Sequence, residues 1–212
     1  MGKPTLYGPD YSTYVRTVRM ALAEKQVDYT LVPVDIMTGE GQSAAHLARH
    51  PFGKVPAFEH DGFMVYETGA IARYVDEAFP GRTLVPGDLR ARARMNQIIG
   101  VIDGYAYDAF VWKVFIERNA EGFLRRPTDE AAIAAAMPRV RTCVDALEAL
   151  AADGAFLCGD SLSLADCWLV PVMGYFTATA DGSALLAKTR RLSRWWSSIA
   201  SHPSVAGTAP AG

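Results

Sequence analysis

Ser12 stands where a short strand-like run, Thr5-Leu6-Tyr7, gives way to a segment whose Val15, Val18 and Leu22 recur at helical spacing. Free N–H groups and the positive end of the helix dipole favour an anion at such a point, and a hydroxyl there can donate to one. A plain helix cap by Ser12 or Thr13 fits the same position, so residue type alone leaves both roles open. Tyr7 is the rival hydroxyl: a phenol able to give a proton, or an ordinary strand aromatic. Further along, Glu67-Thr68 opens another helical run with an acid and a capping hydroxyl. Lys54-Val55-Pro56 ends on a proline ahead of a strand, which means a turn and in some cases a cis bond. Disulfide exchange would need a cysteine where the first helix starts, and residues 1–142 contain none. His46 and His50 are four apart, but no third ligand accompanies them and Pro51 follows at once, so no metal site is expected.

The elements that must hold these residues are legible in outline. Thr5 to Tyr7, the helical segment and Tyr29 to Val34 form a βαβ unit, which implies parallel strands joined by a right-handed crossover. After a polar stretch, Thr38 to Gln42, the runs Val55 to Phe58 and Phe63 to Tyr66 flank His60-Asp61-Gly62, and Asp-Gly there signals an antiparallel hairpin. A helix with Ile71, Tyr74, Val75 and Ala78 on one face follows and stops at Pro80-Gly81. From Asp88 onward strand signals vanish. One long helix is predicted to reach about Asn119, and Pro138 either kinks or divides a later one. The expected organisation is a first domain over 1–80, a linker over 81–87 and an all-helical domain over 88–212, with a frayed tail from Gly207 to Gly212.

Composition narrows the partners. With 212 residues, half of them hydrophobic, the chain can bury one core or two modest ones. A net charge of -2, from 21 basic against 23 acidic residues, provides no field to attract nucleic acid or an anionic membrane, and a small or neutral partner is expected. Three cysteines without close pairing imply a reducing compartment. The start Met1-Gly2-Lys3-Pro4-Thr5-Leu6 lacks the apolar run of a signal peptide, and no stretch approaches the roughly 20 apolar residues that span a bilayer. A cytoplasmic protein is expected.

Four motifs carry a resemblance across nearly the whole chain: Tyr11-Ser12-Thr13, Pro51-Phe52-Gly53-Lys54-Val55-Pro56, Glu67-Thr68, and Gly159-Asp160-Ser161-Leu162-Ser163-Leu164-Ala165-Asp166. Set on a βαβ-α-ββα order followed by helices, they resemble the cytosolic glutathione transferase family. The likeness is to its serine-using, phi and theta-like classes in a bacterial-style form. The resemblance implies a thioredoxin-like α/β N-terminal domain, an all-α C-terminal domain and a homodimer. It also implies thiol transfer from glutathione to a small hydrophobic electrophile.

The roles that follow are those the resemblance implies. Ser12 hydrogen-bonds the glutathione sulfur, with Tyr7 and Thr13 as rivals. Pro56 is cis and turns Val55 so that its backbone pairs with the cysteinyl backbone. Lys54, and less securely Gln42, meet the glycyl end. Glu67 takes the γ-glutamyl ammonium and Thr68 its carboxylate, with Asp103 reaching that ammonium across the dimer. Ser163 and Asp166 form a structural capping box. Tyr14, Tyr105 and Phe110 offer substrate surface, although helical aromatics more often belong to a core. Glutathione is a co-substrate, with no further cofactor expected. A peroxidase or isomerase on the same site, or a non-catalytic glutathione binder, are the alternatives.

Overall fold

In the computed structural model, which describes residues 2–210, Thr5–Tyr7 form β1 at the heart of a four-stranded sheet ordered β2-β1-β3-β4. β2 (Thr30–Val32) runs parallel to β1, while β3 (Ala57–His60) and β4 (Phe63–Tyr66) are antiparallel neighbours. Strand alternation sends Leu6 and the residue paired with it, Phe58, to one face, where both are fully buried. α1 (Thr13–Glu24) and α3 (Thr68–Ala78) supply further core through Val15, Val18, Leu22, Ile71 and Val75. A short α2 (Ala44–Leu47) follows a 3-10 turn at Glu40–Gln42.

The β3–β4 turn is the one expected: Asp61 (φ 50°) and Gly62 (φ 78°) both take the left-handed conformation of a type I′ hairpin. β3, however, begins at Ala57 rather than Val55, because Pro56 has no N–H for the ladder and the Val55–Pro56 bond is cis. The α3 face also differs from its reading. Tyr74 is half-buried, whereas Asp76, two residues on, is buried and paired with Lys25.

The chain divides into two units, Met1–Leu84 with His202–Gly212, and Val85–Ser201. The tail thus goes with the sheet rather than with the helices, through α10 (Pro203–Ala206), whose Val205 carbonyl accepts from Arg16. It is not frayed as far as it is described: Thr208 is buried and its hydroxyl donates to the Ser204 carbonyl at 2.6 Å. Ala211 and Gly212 lie outside the described residues, as does Met1.

The second unit is helical. α4 (Leu89–Val101) passes directly into π-helical turns at Ile102–Ala106 and Asp108–Ile116, so the single long α-helix of the sequence reading changes its pitch midway. α5 (Ala120–Leu124) precedes α6 (Glu130–Leu150), which continues through Pro138 as one helix. α7 (Leu164–Thr177), α8 (Ala180–Leu186) and α9 (Arg191–Ile199) complete the unit. No helix among the described residues is long and apolar enough to cross a membrane.

Candidate active site

Ser12 is the N-cap of α1: its backbone is extended (φ -68°, ψ 129°), and its hydroxyl oxygen accepts from the Val15 N–H at 3.4 Å. The cap uses the oxygen as an acceptor. The O–H itself meets no acceptor among the described residues, so the group can cap the helix and still donate to an anion at its N-terminus. Tyr7 lacks that freedom. Its hydroxyl donates to Glu59 at 3.0 Å, and the Arg49 guanidinium lies 4.4 Å over its ring. Burial first, then the bond to the Glu59 carboxylate, pushes the Tyr7 phenol above its usual range. Thr13 is buried in the first turn of α1, and Tyr14 is half-buried on the same helix.

Gly8 joins the Ser12 loop to the rest of the site. It adopts φ 145°, and a Cβ there would collide with Val15 and come within 3.1 Å of the Val55 side chain. Only glycine lets the loop lie this close to Val55. Val55 itself sits ahead of β3, and neither its N–H nor its C=O takes up a hydrogen bond among the described residues. A second close approach occurs at Gly53 (φ 62°), where a Cβ would strike the Gln42 amide and lie 2.9 Å from the Gly41 carbonyl. Gln42 is thereby set against the Gly53-Lys54 turn. Lys54 is exposed, with no ion pair among the described residues.

Glu67 caps α3 by its backbone alone. It has φ 71° and ψ 120°, a conformation a residue with a side chain adopts at a cost of about 1–3 kcal/mol, and its side chain makes no cap bond. The first N–H groups of α3 are therefore left uncapped beside the Thr68 hydroxyl, an arrangement that suits a carboxylate. Between Lys54 and Glu67 lies His50, whose ring centre is 4.9 Å from that of Tyr66. Burial pulls the His50 pKa down, the Glu67 charge opposes that shift, and His46 and Lys54 reinforce it. Ser12's loop, Val55, Lys54, Gln42 and Glu67 thus form a chain of neighbours on the sheet unit. No group of three or more metal-ligating side chains occurs among the described residues.

The N-terminal domain family of glutathione S-transferases matches residues 6–83 and the C-terminal domain family matches 108–203. A glutathione S-transferase of Hyoscyamus muticus is 31% identical over 200 residues, covering 93% of each chain. The chain belongs to the glutathione S-transferase family. Among solved structures, glutathione transferase F7 of Populus trichocarpa superposes with a TM-score of 0.85 at 27% identity, over 97% of both chains. Glutathione S-transferase I of maize, solved with an atrazine glutathione conjugate, gives 0.83 at 28% identity, over 98% of this chain and 96% of its own. The thioredoxin-like domain followed by helices is the fold of this glutathione S-transferase family.

On the helical unit of this glutathione S-transferase the expected substrate residues separate. Tyr105 is 51% exposed, with Arg139 4.5 Å over its ring, and Trp112 is also exposed. Phe110 is fully buried and stacked on Phe176 at 4.1 Å, so it is a core residue and not pocket surface. Asp103, exposed, accepts from the Trp168 indole at 3.1 Å. Ser163 and Asp166 are structural in position: Asp166 is wholly buried and accepts from the Ser163 N–H and hydroxyl, the Leu157 N–H and the Trp195 indole, all at 2.8–2.9 Å. Burial raises its pKa even against those donors. Sequence reading missed the Glu67 backbone, which no residue type signals, and the Lys25–Asp76 pair, whose members look like ordinary surface charges.

Proposed function

We propose that the protein is a serine-type glutathione transferase, with Ser12 as the residue that stabilises the thiolate of bound glutathione. The observation that carries this is the contrast between two hydroxyls. Ser12 keeps its O–H free while a helix N–H polarises its oxygen, whereas the Tyr7 O–H is already engaged as donor to Glu59. The quoted relatives are plant proteins, which favours a plant-like phi form over a bacterial-style one.

A cysteine-type thiol has a pKa of about 8.5, so little thiolate exists at neutral pH. Lowering that value by two units requires roughly 2.7 kcal/mol of preference for the anion, within reach of one oriented hydroxyl and a helix N-terminus. Glutathione lies with its cysteinyl backbone on Val55, its glycyl carboxylate toward Lys54 and Gln42, and its γ-glutamyl group at Glu67 and Thr68. The thiol proton leaves to solvent, the sulfur lone pair forms the new bond to the electrophile, and the leaving group departs with its electrons. No residue is covalently modified. Tyr105, exposed on the helical unit, is the substrate-side residue of this reading.

Binding is tested first. The protein is expected to be retained on glutathione-agarose, to elute with free glutathione and to turn over an aromatic halide. Absence of calorimetric binding at millimolar glutathione overturns the reading, and turnover of cumene hydroperoxide alone would make the enzyme a peroxidase. Cys143, Cys158 and Cys167 form no disulfide among the described residues, which fits a cytoplasmic setting. A homodimer of about 46 kDa, twice the 23.0 kDa chain, is expected by light scattering; a monomer at micromolar concentration refutes it.

A further inference from the structure

We infer that His46 is a positioning residue for glutathione: by holding the Lys54 carbonyl it presents the Val55 N–H to the ligand. The inference rests on the assignment of Val55 to the glutathione backbone. His46 Nε2 lies 2.7 Å from the Lys54 carbonyl oxygen. A carbonyl only accepts, so Nε2 carries the proton of this bond and Nδ1 is left as the other ring nitrogen. That Nδ1 is buried and has no hydrogen-bond partner among the described residues, so the Lys54 bond is the ring's one hydrogen bond among them.

The Lys54 carbonyl and the Val55 N–H belong to one peptide group. The bond between them is trans, since the only cis bond nearby is Val55–Pro56, and a trans peptide points its C=O and N–H in opposite directions. His46 therefore grips one side of the plane and the Val55 N–H faces the other, with no partner among the described residues. Fixing the carbonyl fixes the direction of the N–H. Hydrogen bonding at the carbonyl also polarises the peptide and strengthens the opposite N–H as a donor, the more so because His46 is only 1% exposed.

The histidine is itself held in place. It lies in α2, where the Ser43 hydroxyl caps the turn by accepting from the His46 N–H at 3.2 Å. His50, one turn on, stacks against its ring with centroids 6.3 Å apart and planes 22° from parallel. His50 in turn packs on Tyr66 and Phe52, with ring centres 4.9 and 6.2 Å away. Tyr66 directly precedes Glu67, so the same stack connects the Val55 support to the turn that opens α3.

A core histidine that mattered only for packing would affect stability and leave ligand affinity alone, so the test reads both. His46→Phe keeps a ring and removes the donor, and His46→Gln keeps an amide donor of similar reach. Calorimetry with glutathione is expected to give a dissociation constant about fivefold higher for His46→Phe, the loss of one neutral hydrogen bond, with His46→Gln recovering most of it. At saturating glutathione the turnover number should be unchanged, because Ser12 is untouched. If unmodified protein binds glutathione and His46→Phe binds it equally well, whatever its thermal midpoint, the inference falls while the proposed function stands. If unmodified protein does not bind, the proposed function fails first. Should His46→Phe not fold, the unmodified protein still decides. In nuclear magnetic resonance the Val55 amide proton is expected to move downfield on adding glutathione and a bonded His46 Nε2–H to be visible. Failure of either overturns the inference.

Discussion

Ser12→Ala is expected to lower turnover near neutral pH roughly ten- to 150-fold, the consequence of losing a hydrogen bond to a charged group at about 1.5–3 kcal/mol. The apparent pKa of bound glutathione should rise in step, read as thiolate ultraviolet absorbance against pH, because less stabilisation of the anion leaves more thiol at any given pH. Glutathione affinity should change far less, as most of the contacts proposed for it are at Val55, Glu67 and Thr68. Removing the cap bond to Val15 also costs about 0.5–2 kcal/mol of stability, so a thermal scan separates the structural from the catalytic loss. Tyr7→Phe supplies the control. Its hydroxyl is committed to Glu59, and its loss should leave thiolate absorbance and rate nearly unchanged. Loss of the thiolate in Tyr7→Phe with its retention in Ser12→Ala would exchange the two roles and leave the family assignment intact.

Lys25→Met should destabilise the sheet-bearing unit by about 3–5 kcal/mol, the cost of leaving one member of a buried ion pair unpartnered. The Lys25 ammonium donates to the Asp76 carbonyl at 2.8 Å, the Asp76 carboxylate at 3.3 Å and the Arg82 carbonyl at 3.1 Å. Both side chains are at most 4% exposed. Asp76 further accepts from the Leu84 N–H at 2.7 Å and the Thr83 hydroxyl at 3.1 Å. The pair thus fastens the end of α1, α3 and the segment leaving the sheet at one point. Removing the ammonium leaves a buried carboxylate without its counter-charge and takes a donor from two carbonyls, while the double variant Lys25→Met with Asp76→Leu should lose less than the two single losses combined. Circular dichroism during urea unfolding is the measurement, because every tryptophan belongs to the helical unit. An unchanged midpoint for Lys25→Met would refute the role given to the pair.

What could be read in advance was what local chemistry dictates. Asp61-Gly62 specifies its hairpin because a type I′ turn needs two residues at positive φ, and Ser12 marks the start of α1 because capping is settled within one turn, whereas α3 takes Glu67 and not the expected Thr68 hydroxyl as its cap. Where the reading erred, the deciding contact was distant. Tyr105 and Phe110 were both expected to offer substrate surface, yet a contact distant in sequence separates them: Phe110 is buried on Phe176 while Tyr105 stays exposed. The burial of Asp76 left no local signal, since its partner is 51 residues away.

The sequence alone determined the order of elements, the family and the residue types able to meet a thiol, an ammonium and a carboxylate, because those depend on neighbours along the chain. Only the tertiary structure decided which hydroxyl keeps a free donor, since the Tyr7 O–H is bound to a carboxylate on an adjacent strand and that of Ser12 is not. It also decided the unusual backbone of Glu67 and the grip of His46 on the Lys54 carbonyl. These arise from packing between segments, where a hydrogen bond depends on which groups the fold leaves within about 3 Å of each other.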